Sequence, residues 1–316
     1  MFNKMIQVGF VTRELDRILK NLVDIYNIGP WYLLKFSPEN VKSMTVYGKK
    51  KRHSMNVAVC PVGDTRFEYI EPISESIFSD FYDLYGENAI HHLKFGVESC
   101  REALRFMDSK NIRIIQTGHQ QGDAGKNMYN FLDTQEDFGF LTEIVHVTKN
   151  FIKPQPDLWF PPDKINFEPV FLKPSAIGIV VKNVEDKIRK YEEFRIGPWS
   201  KQNFGYDSNL KIKSKMAFCR IGNIMFKLIE PVSDSIFSEH LLKCGEGIHH
   251  IKMEVNDYNK TLKYLLSKSL NIIYSDNYMD KINFSFLDTN KHLNFITEIS
   301  DNEIKNEITK DVIIHP

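Results

Sequence analysis

Four short segments of this chain occur twice, in the same order, and that duplication limits what it can fold into more than any other feature. Asn27-Ile28-Gly29-Pro30-Trp31 returns as Arg195-Ile196-Gly197-Pro198-Trp199. Glu68-Tyr69-Ile70-Glu71-Pro72 returns as Lys227-Leu228-Ile229-Glu230-Pro231, and a Ser-Ile-Phe-Ser run follows each copy, at residues 76–79 and 235–238. Ile90-His91-His92-Leu93-Lys94 returns as Ile248-His249-His250-Ile251-Lys252. Phe131-Leu132-Asp133-Thr134 returns as Phe286-Leu287-Asp288-Thr289, with a glutamate nine residues beyond each Thr, Glu143 and Glu298. The offsets are 168, 159, 158 and 155, a slow drift expected if only loop lengths differ between two copies of one fold.

Between the copies, Pro154, Pro156, Pro161, Pro162, Pro169 and Pro174 deny a regular helix or a central strand. Residues 149–172 therefore read as an extended linker between domains at 1–148 and 173–302, with a tail at 303–316. Each half divides again. In the first, an apolar run at Met5–Thr12 precedes an amphipathic stretch at Glu14–Tyr26, where Leu15, Ile18, Leu19, Leu22 and Ile25 recur at helical spacing. Strand-like runs follow at Met44–Tyr47, Met55–Val62 and Phe67–Ile70. A second unit opens at His92–Val97, continues through a helix at Cys100–Ser109, and closes with strands at Arg113–Thr117, Lys126–Leu132 and Phe140–Val145. The second half repeats the order from Ala176–Val181 and His250–Val255. The expected fold class is α+β: four βαβββ units paired into two domains with curved mixed sheets.

Paired βαβββ units, with His-His-[Ile/Leu] opening one unit and Asp-Thr then Gly-Phe-x-x-Glu closing it, resemble the vicinal oxygen chelate superfamily. The resemblance is to its glyoxalase and methylmalonyl-CoA epimerase branches, and covers nearly all of the chain outside the linker and tail. It implies one metal ligand from the first strand and one from the last strand of each unit. Carried over residue by residue, the ligands are Gln7, Glu68, His92 and Glu143. Strand alternation agrees with that assignment, since Val8 and Phe10 then face a packed layer while Gln7 faces a cavity. Three oxygens and one nitrogen suit a divalent ion with open positions, such as Zn, Ni, Co, Mn or Mg. In the second half the same positions are Ala176, Lys227, His250 and Glu298. Ala176 cannot ligate, and an ammonium at Lys227 stands where a cation would sit and can pair with Glu298. That half is expected to bind no catalytic metal and to serve as packing, support or lid. The sequence also permits exchanged units, with His250 and Glu298 joining Gln7 and Glu68; the Pro-rich boundary favours pairing within each half.

What the resemblance implies chemically is proton transfer through a metal-bound enediolate of a small carbonyl or thioester substrate, by an isomerase, epimerase or glyoxalase-type lyase. Glu68 and Glu143 are the candidate acid–base groups, unless both only ligate. Lys94 is a candidate for binding a substrate oxygen, or its stem merely snorkels to the cavity mouth. Trp31 is a candidate pocket residue, although its recurrence as Trp199 argues for an anchoring role. His91 and His249 should face away from the cavity by alternation, and His53 and His119 read as loop residues without a role.

Two rivals remain. A ring-cleaving dioxygenase needs two histidines and a carboxylate around iron, and the ligand positions of the first half offer one histidine. A non-catalytic small-molecule-binding protein needs the cavity but no metal. Lys plus Arg equals Asp plus Glu at 41 each, so no net field recruits nucleic acid or an anionic membrane; the partner expected is a small-molecule substrate, with the oligomeric state open. Four cysteines without a C-x-x-C pair, and no signal-like or membrane-length apolar run, fit a reducing, cytoplasmic setting.

Overall fold

The computed structural model describes residues 2–87, 89–120, 128–146, 156–162, 168–204, 212–278 and 282–301. It divides into two compact units, one of Met1–Glu136 with Phe140–Glu168, the other of Asp137–Gly139 with Pro169–Pro316. The tail at 303–316 and most of residues 149–167 lie outside the described residues.

The first unit contains β1 (Lys4–Val11), α1 (Leu15–Asp24), β2 (Trp31–Phe36), β3 (Val41–Val46), β4 (Lys49–Lys50), β5 (Met55–Val62) and β6 (Thr65–Pro72). After α2 (Ile77–Tyr85) come β7 (Ile90–Val97), α3 (Cys100–Ser109), β8 (Ile114–Gln120), β9 (Met128–Leu132), α4 (Gln135–Phe138), β10 (Leu141–His146) and β11 (Leu158–Phe160). The strands form one mixed sheet in the order β11-β2-β5-β6-β1-β7-β10-β9-β8-β3-β4. Two four-stranded βαβββ units thus meet at β1 and β7, which run antiparallel, while β1 with β6 and β7 with β10 are parallel.

α1 forms because Leu15, Ile18, Leu19 and Leu22 bury one stripe against the sheet. α3 is started by Ser99, whose hydroxyl accepts from the Glu102 amide. Facing outward from the cavity, Val8, Phe10, Phe67, Tyr69 and Phe95 are fully buried in the layer between sheet and helices.

Three expectations needed correction. The first strand after α1 is Trp31–Phe36, which the sequence reading passed over. The expected strand at Met44–Tyr47 belongs to β3, which leaves its own unit and pairs with β8 at the far end of the sheet. And part of the linker is structured: Leu158, Trp159 and Phe160 pair antiparallel with Leu33, Tyr32 and Trp31. Because β11 lies at the sheet edge, the neighbouring prolines cost no ladder hydrogen bonds.

The second unit repeats the plan, and the extra hairpin is not among its described residues. It comprises β12 (Lys173–Val180), α5 (Val184–Glu193), β13 (Ser200–Phe204), β14 (Ser214–Ile221), β15 (Ile224–Pro231), α6 (Ile236–Cys244) and β16 (Gly247–Glu254), then α7 (Tyr258–Ser267), β17 (Ile272–Tyr278), β18 (Ile282–Leu287), α8 (Asn290–Leu293) and β19 (Ile296–Ser300). Its sheet runs β13-β14-β15-β12-β16-β19-β18-β17. All four cysteines are free thiols. No helix among the described residues is long and apolar enough to cross a membrane.

Candidate metal centre

The register across the middle of the first sheet decides which side chains meet. Gly9 lies opposite His92 and beside Glu68; Gln7 lies opposite Lys94, which is beside Glu143. Every one of these positions faces the same side of the pleat. Gly9 has no side chain, and the space above it is taken by the His92 ring: a Cβ built on Gly9 would lie 1.8 Å from the His92 Cε1. His92 therefore lies across Gly9 between the two glutamates. Its Nε2 is 3.5 Å from Glu68 Oε2 and 3.3 Å from Glu143 Oε2.

Among the described residues, Glu68, His92 and Glu143 are the only group of three or more His, Cys, Asp or Glu able to hold a metal, with ligand atoms all within 4.8 Å of one another. Gln7, Glu68 and Glu143 line one cavity of about 1360 Å³. The pairing is within the half: β1 and β7 are neighbours in one sheet, and the exchanged arrangement through His250 and Glu298 is not adopted.

Each of the four side chains is held differently. Glu143 has one oxygen committed, since Oε1 accepts from Lys94 Nζ at 2.8 Å. Its Oε2 and the Nε2 of His92 are sealed from solvent and make no aligned hydrogen bond. Burial works against the Glu143 charge, but Lys94 and His92 outweigh it and hold the carboxyl below its usual range. Gln7 is buried with its Nε2 unpartnered, so nothing fixes the amide against turning its oxygen inward. Glu68 is the more open carboxylate, 14% exposed against 2% for Glu143. Buried polar atoms left without partners are costly, and two of them, Nε2 of His92 and Oε2 of Glu143, face each other at 3.3 Å. The donor set fits a divalent cation.

Lys94 does line the cavity, but its ammonium is bound to Glu143 rather than left free for a substrate oxygen. Trp31 is corrected outright. It is wholly buried on the other face of β2, stacked edge-on against Tyr69 at 5.6 Å, and its indole N–H donates to the Ile28 carbonyl at 2.8 Å. Trp199 makes the same bond to Ile196 at 2.9 Å. Both are anchors of the turn before the strand, and the cavity is lined by Tyr32, Leu34 and Phe36 instead.

His91 was expected on the opposite face and is not there. The register jumps from Gly9–His92 to Phe10–Ile90, so His91 is the extra residue of a β-bulge. It packs against Phe78, Phe81 and Phe131, and its Nδ1 lies 2.9 Å from the Nδ1 of His92. Burial, reinforced by His92, keeps His91 neutral, well below the ordinary imidazole value. Its Nδ1 can then accept the Nδ1–H of His92, which turns the Nε2 of His92 toward the carboxylates. No sequence signal marks this role, because a bulge is not visible in alternation. His53 is also placed, with Nε2 3.3 Å from the hydroxyl of Tyr129. The side chain of His119 lies outside the described residues.

His91→Phe keeps an aromatic ring among Phe78, Phe81 and Phe131 but removes the acceptor. It is expected to weaken divalent-metal affinity about 10–100-fold, measured by calorimetry, while His249→Phe in the second half leaves that affinity unchanged.

A profile described as the glyoxalase/bleomycin resistance protein/dioxygenase superfamily matches residues 6–130 and again 176–281. No curated protein matches the sequence. Among solved structures, the chain is similar to a triple mutant of 4-hydroxymandelate synthase from Streptomyces coelicolor, with a TM-score of 0.62 and 14% identity over 95% of this chain and 92% of that one. It is also similar to a xylose isomerase-like TIM barrel/4-hydroxyphenylpyruvate dioxygenase fusion protein, with a TM-score of 0.55 and 11% identity over 95% of this chain and 48% of the other, about half its length. At such identities the likeness speaks for the fold alone.

Proposed function

Because this chain belongs to the glyoxalase/bleomycin resistance protein/dioxygenase superfamily, we propose that its first half is a divalent-metal enzyme. The reaction is proton transfer at a carbon next to a carbonyl, by an isomerase, epimerase or glyoxalase-type lyase acting on a small carbonyl or thioester substrate. The observation that carries this reading is the convergence of Glu68, His92 and Glu143, with Gln7, Glu68 and Glu143 on the wall of a cavity large enough for such a molecule.

Gln7, Glu68, His92 and Glu143 would hold the cation, of the class Zn, Ni, Co, Mn or Mg. When bound, it supplies Lewis-acid polarisation of the substrate's carbonyl oxygen. The chain's own residues divide the remaining work. Glu143, pinned by Lys94 and sealed from solvent, is the fixed anionic ligand. Glu68 has no ammonium partner among the described residues and reaches the open cavity, so it is the carboxylate positioned to take a proton from a substrate carbon and return it. Lys94 is a positioning residue that keeps Glu143 ionised and oriented. Leu34, Phe36, Val57 and Val59 give the cavity an apolar wall that keeps water from the reacting carbon. The single histidine in the cluster favours this chemistry over ring cleavage, which needs two histidines with one carboxylate.

The test is proton exchange in D2O, using protein purified without chelator. A panel of 2-hydroxy carbonyl compounds, hemithioacetals and coenzyme A thioesters is followed by NMR. The expected result is deuterium incorporation that EDTA abolishes and added divalent metal restores. Tight metal binding with no exchange on any member of the panel would instead support a non-catalytic binding protein. Absence of bound metal would remove the mechanism.

A further inference from the structure

The second half keeps the sheet and the His–Glu pair but reverses the sign of the charge at their centre. In the first half two carboxylates, Glu68 and Glu143, face one ammonium, Lys94, leaving one negative charge in excess. In the second half Glu298 is the only carboxylate at the centre and two ammoniums face it. Lys227 Nζ donates to both of its oxygens at 2.9 and 2.6 Å, and Lys252 Nζ lies 3.4 Å from Oε1. His250 Nε2 is 3.0 Å from Oε2. Ala176 stands where Gln7 stands in the first half. The place of the cation is thus filled by Lys227, and the centre retains one unmatched positive charge.

Among the described residues that line the cavity, that charge is not matched at the mouth. Lys173 and Glu254 pair there at 3.8 Å, and Arg220 and Asp301 offset each other in formal charge. Holding two ammoniums out of water against one shared carboxylate is costly. Lys252 registers the cost: burial is the main cause and the field of Lys227 adds to it, together outweighing Glu298 and bringing its pKa down to about 8. Above the cluster is a cavity of about 490 Å³, within the range of small-molecule sites. Its walls are aromatic and apolar, built from Phe218, Phe237, Phe284 and Phe286 with Met216 and Ile229. The cavity combines one excess positive charge at its floor with flat apolar walls.

We propose that this cavity is a metal-independent binding site for a small monocarboxylate with a flat apolar body, whose carboxylate is received by Lys252 and Lys227 and whose body lies between the phenylalanines. One excess charge matches a monoanion, whereas a phosphate dianion would over-neutralise it. The site is independent of the reaction proposed for the first half.

The test uses the full chain and two probes of equal shape, 2-naphthoate and its neutral counterpart 2-naphthamide, titrated calorimetrically in EDTA. The carboxylate is expected to bind once per chain and at least about tenfold more tightly than the amide, as charge-assisted hydrogen bonds require. Lys252→Met should remove that preference, and His92→Ala in the first half should leave it intact. Equal affinity for the two probes, loss of binding with His92→Ala, or no binding of either up to about 1 mM would overturn the proposal. If Lys252→Met does not fold, the comparison of the two probes on the wild-type and His92→Ala chains decides it. Failure here leaves the metal and exchange experiments on the first half unaffected.

Discussion

Replacing His92 with Ala is expected to weaken divalent-metal binding by about a hundredfold or more, beyond the effect of losing a ligand's supporting partner, and to abolish metal-dependent proton exchange. The reason is geometric. His92 is the one nitrogen in the cluster and bridges the space between Glu68 and Glu143, so without it the buried Glu143 and the part-buried Glu68 face a void. Calorimetry and metal analysis check the first effect, and NMR exchange the second. Glu68→Gln retains an oxygen donor but cannot take a proton. It is expected to lower exchange by about 10²–10⁴-fold while changing metal affinity far less. Equal losses of affinity in the two variants would show that Glu68 acts only as a ligand. Metal affinity should also fall with acid. Burial disfavours the His92 charge, but Glu143 and Glu68 outweigh burial and raise its pKa above the usual 6.5. Below that raised pKa a proton occupies Nε2 and must leave, so affinity declines about tenfold per pH unit.

Gly9→Ala is expected to destabilise the first half by about 1–3 kcal/mol, as overpacking of a rigid site does, and to destroy metal binding. The added methyl would meet the His92 ring at 1.8 Å. That ring cannot swing aside, being fully buried, edge-on to Phe131 at 4.9 Å, and held by His91. Gly178→Ala supplies the control. Its methyl would lie 2.0 Å from the His250 ring, so the stability cost should be similar, while metal affinity stays as in the wild type. Urea denaturation and metal titration of the two variants separate packing from ligation. Retained metal affinity in Gly9→Ala would mean that His92 is not held where the cluster requires it.

The duplication was legible because the repeated segments sit at element boundaries, where turn and cavity residues leave fixed spacings. The grouping of Glu68, His92 and Glu143 was implied by the resemblance to the vicinal oxygen chelate superfamily, and alternation along strands whose other face is apolar agreed with it. The pairing of Lys227 with Glu298 was legible because the repeat places both at the positions that the resemblance assigns to ligands. What was not legible depended on partners distant in the chain. Val41–Val46 looks like a strand of its own unit, yet its partner is β8, and no local pattern specifies that choice. Trp31–Phe36 is apolar almost throughout, so it shows no alternation to mark it as a strand. The bulge at His91 adds one residue without changing composition, which is why a supporting residue looked like one turned away.

Glu143 and Glu298 pose one electrostatic problem, and the two halves solve it differently. The second half carries its counter-charge on a covalently attached side chain, Lys227. The first half sets two carboxylates, Glu68 and Glu143, against Lys94 and a histidine, His92, which can take up either a proton or the proposed cation. With the cation proposed above as its ligand, its folding equilibrium would be tied by mass action to how much free cation surrounds it. The second half carries its cation covalently, and scarcity of metal ions would then be felt by one half of the molecule and not by the other.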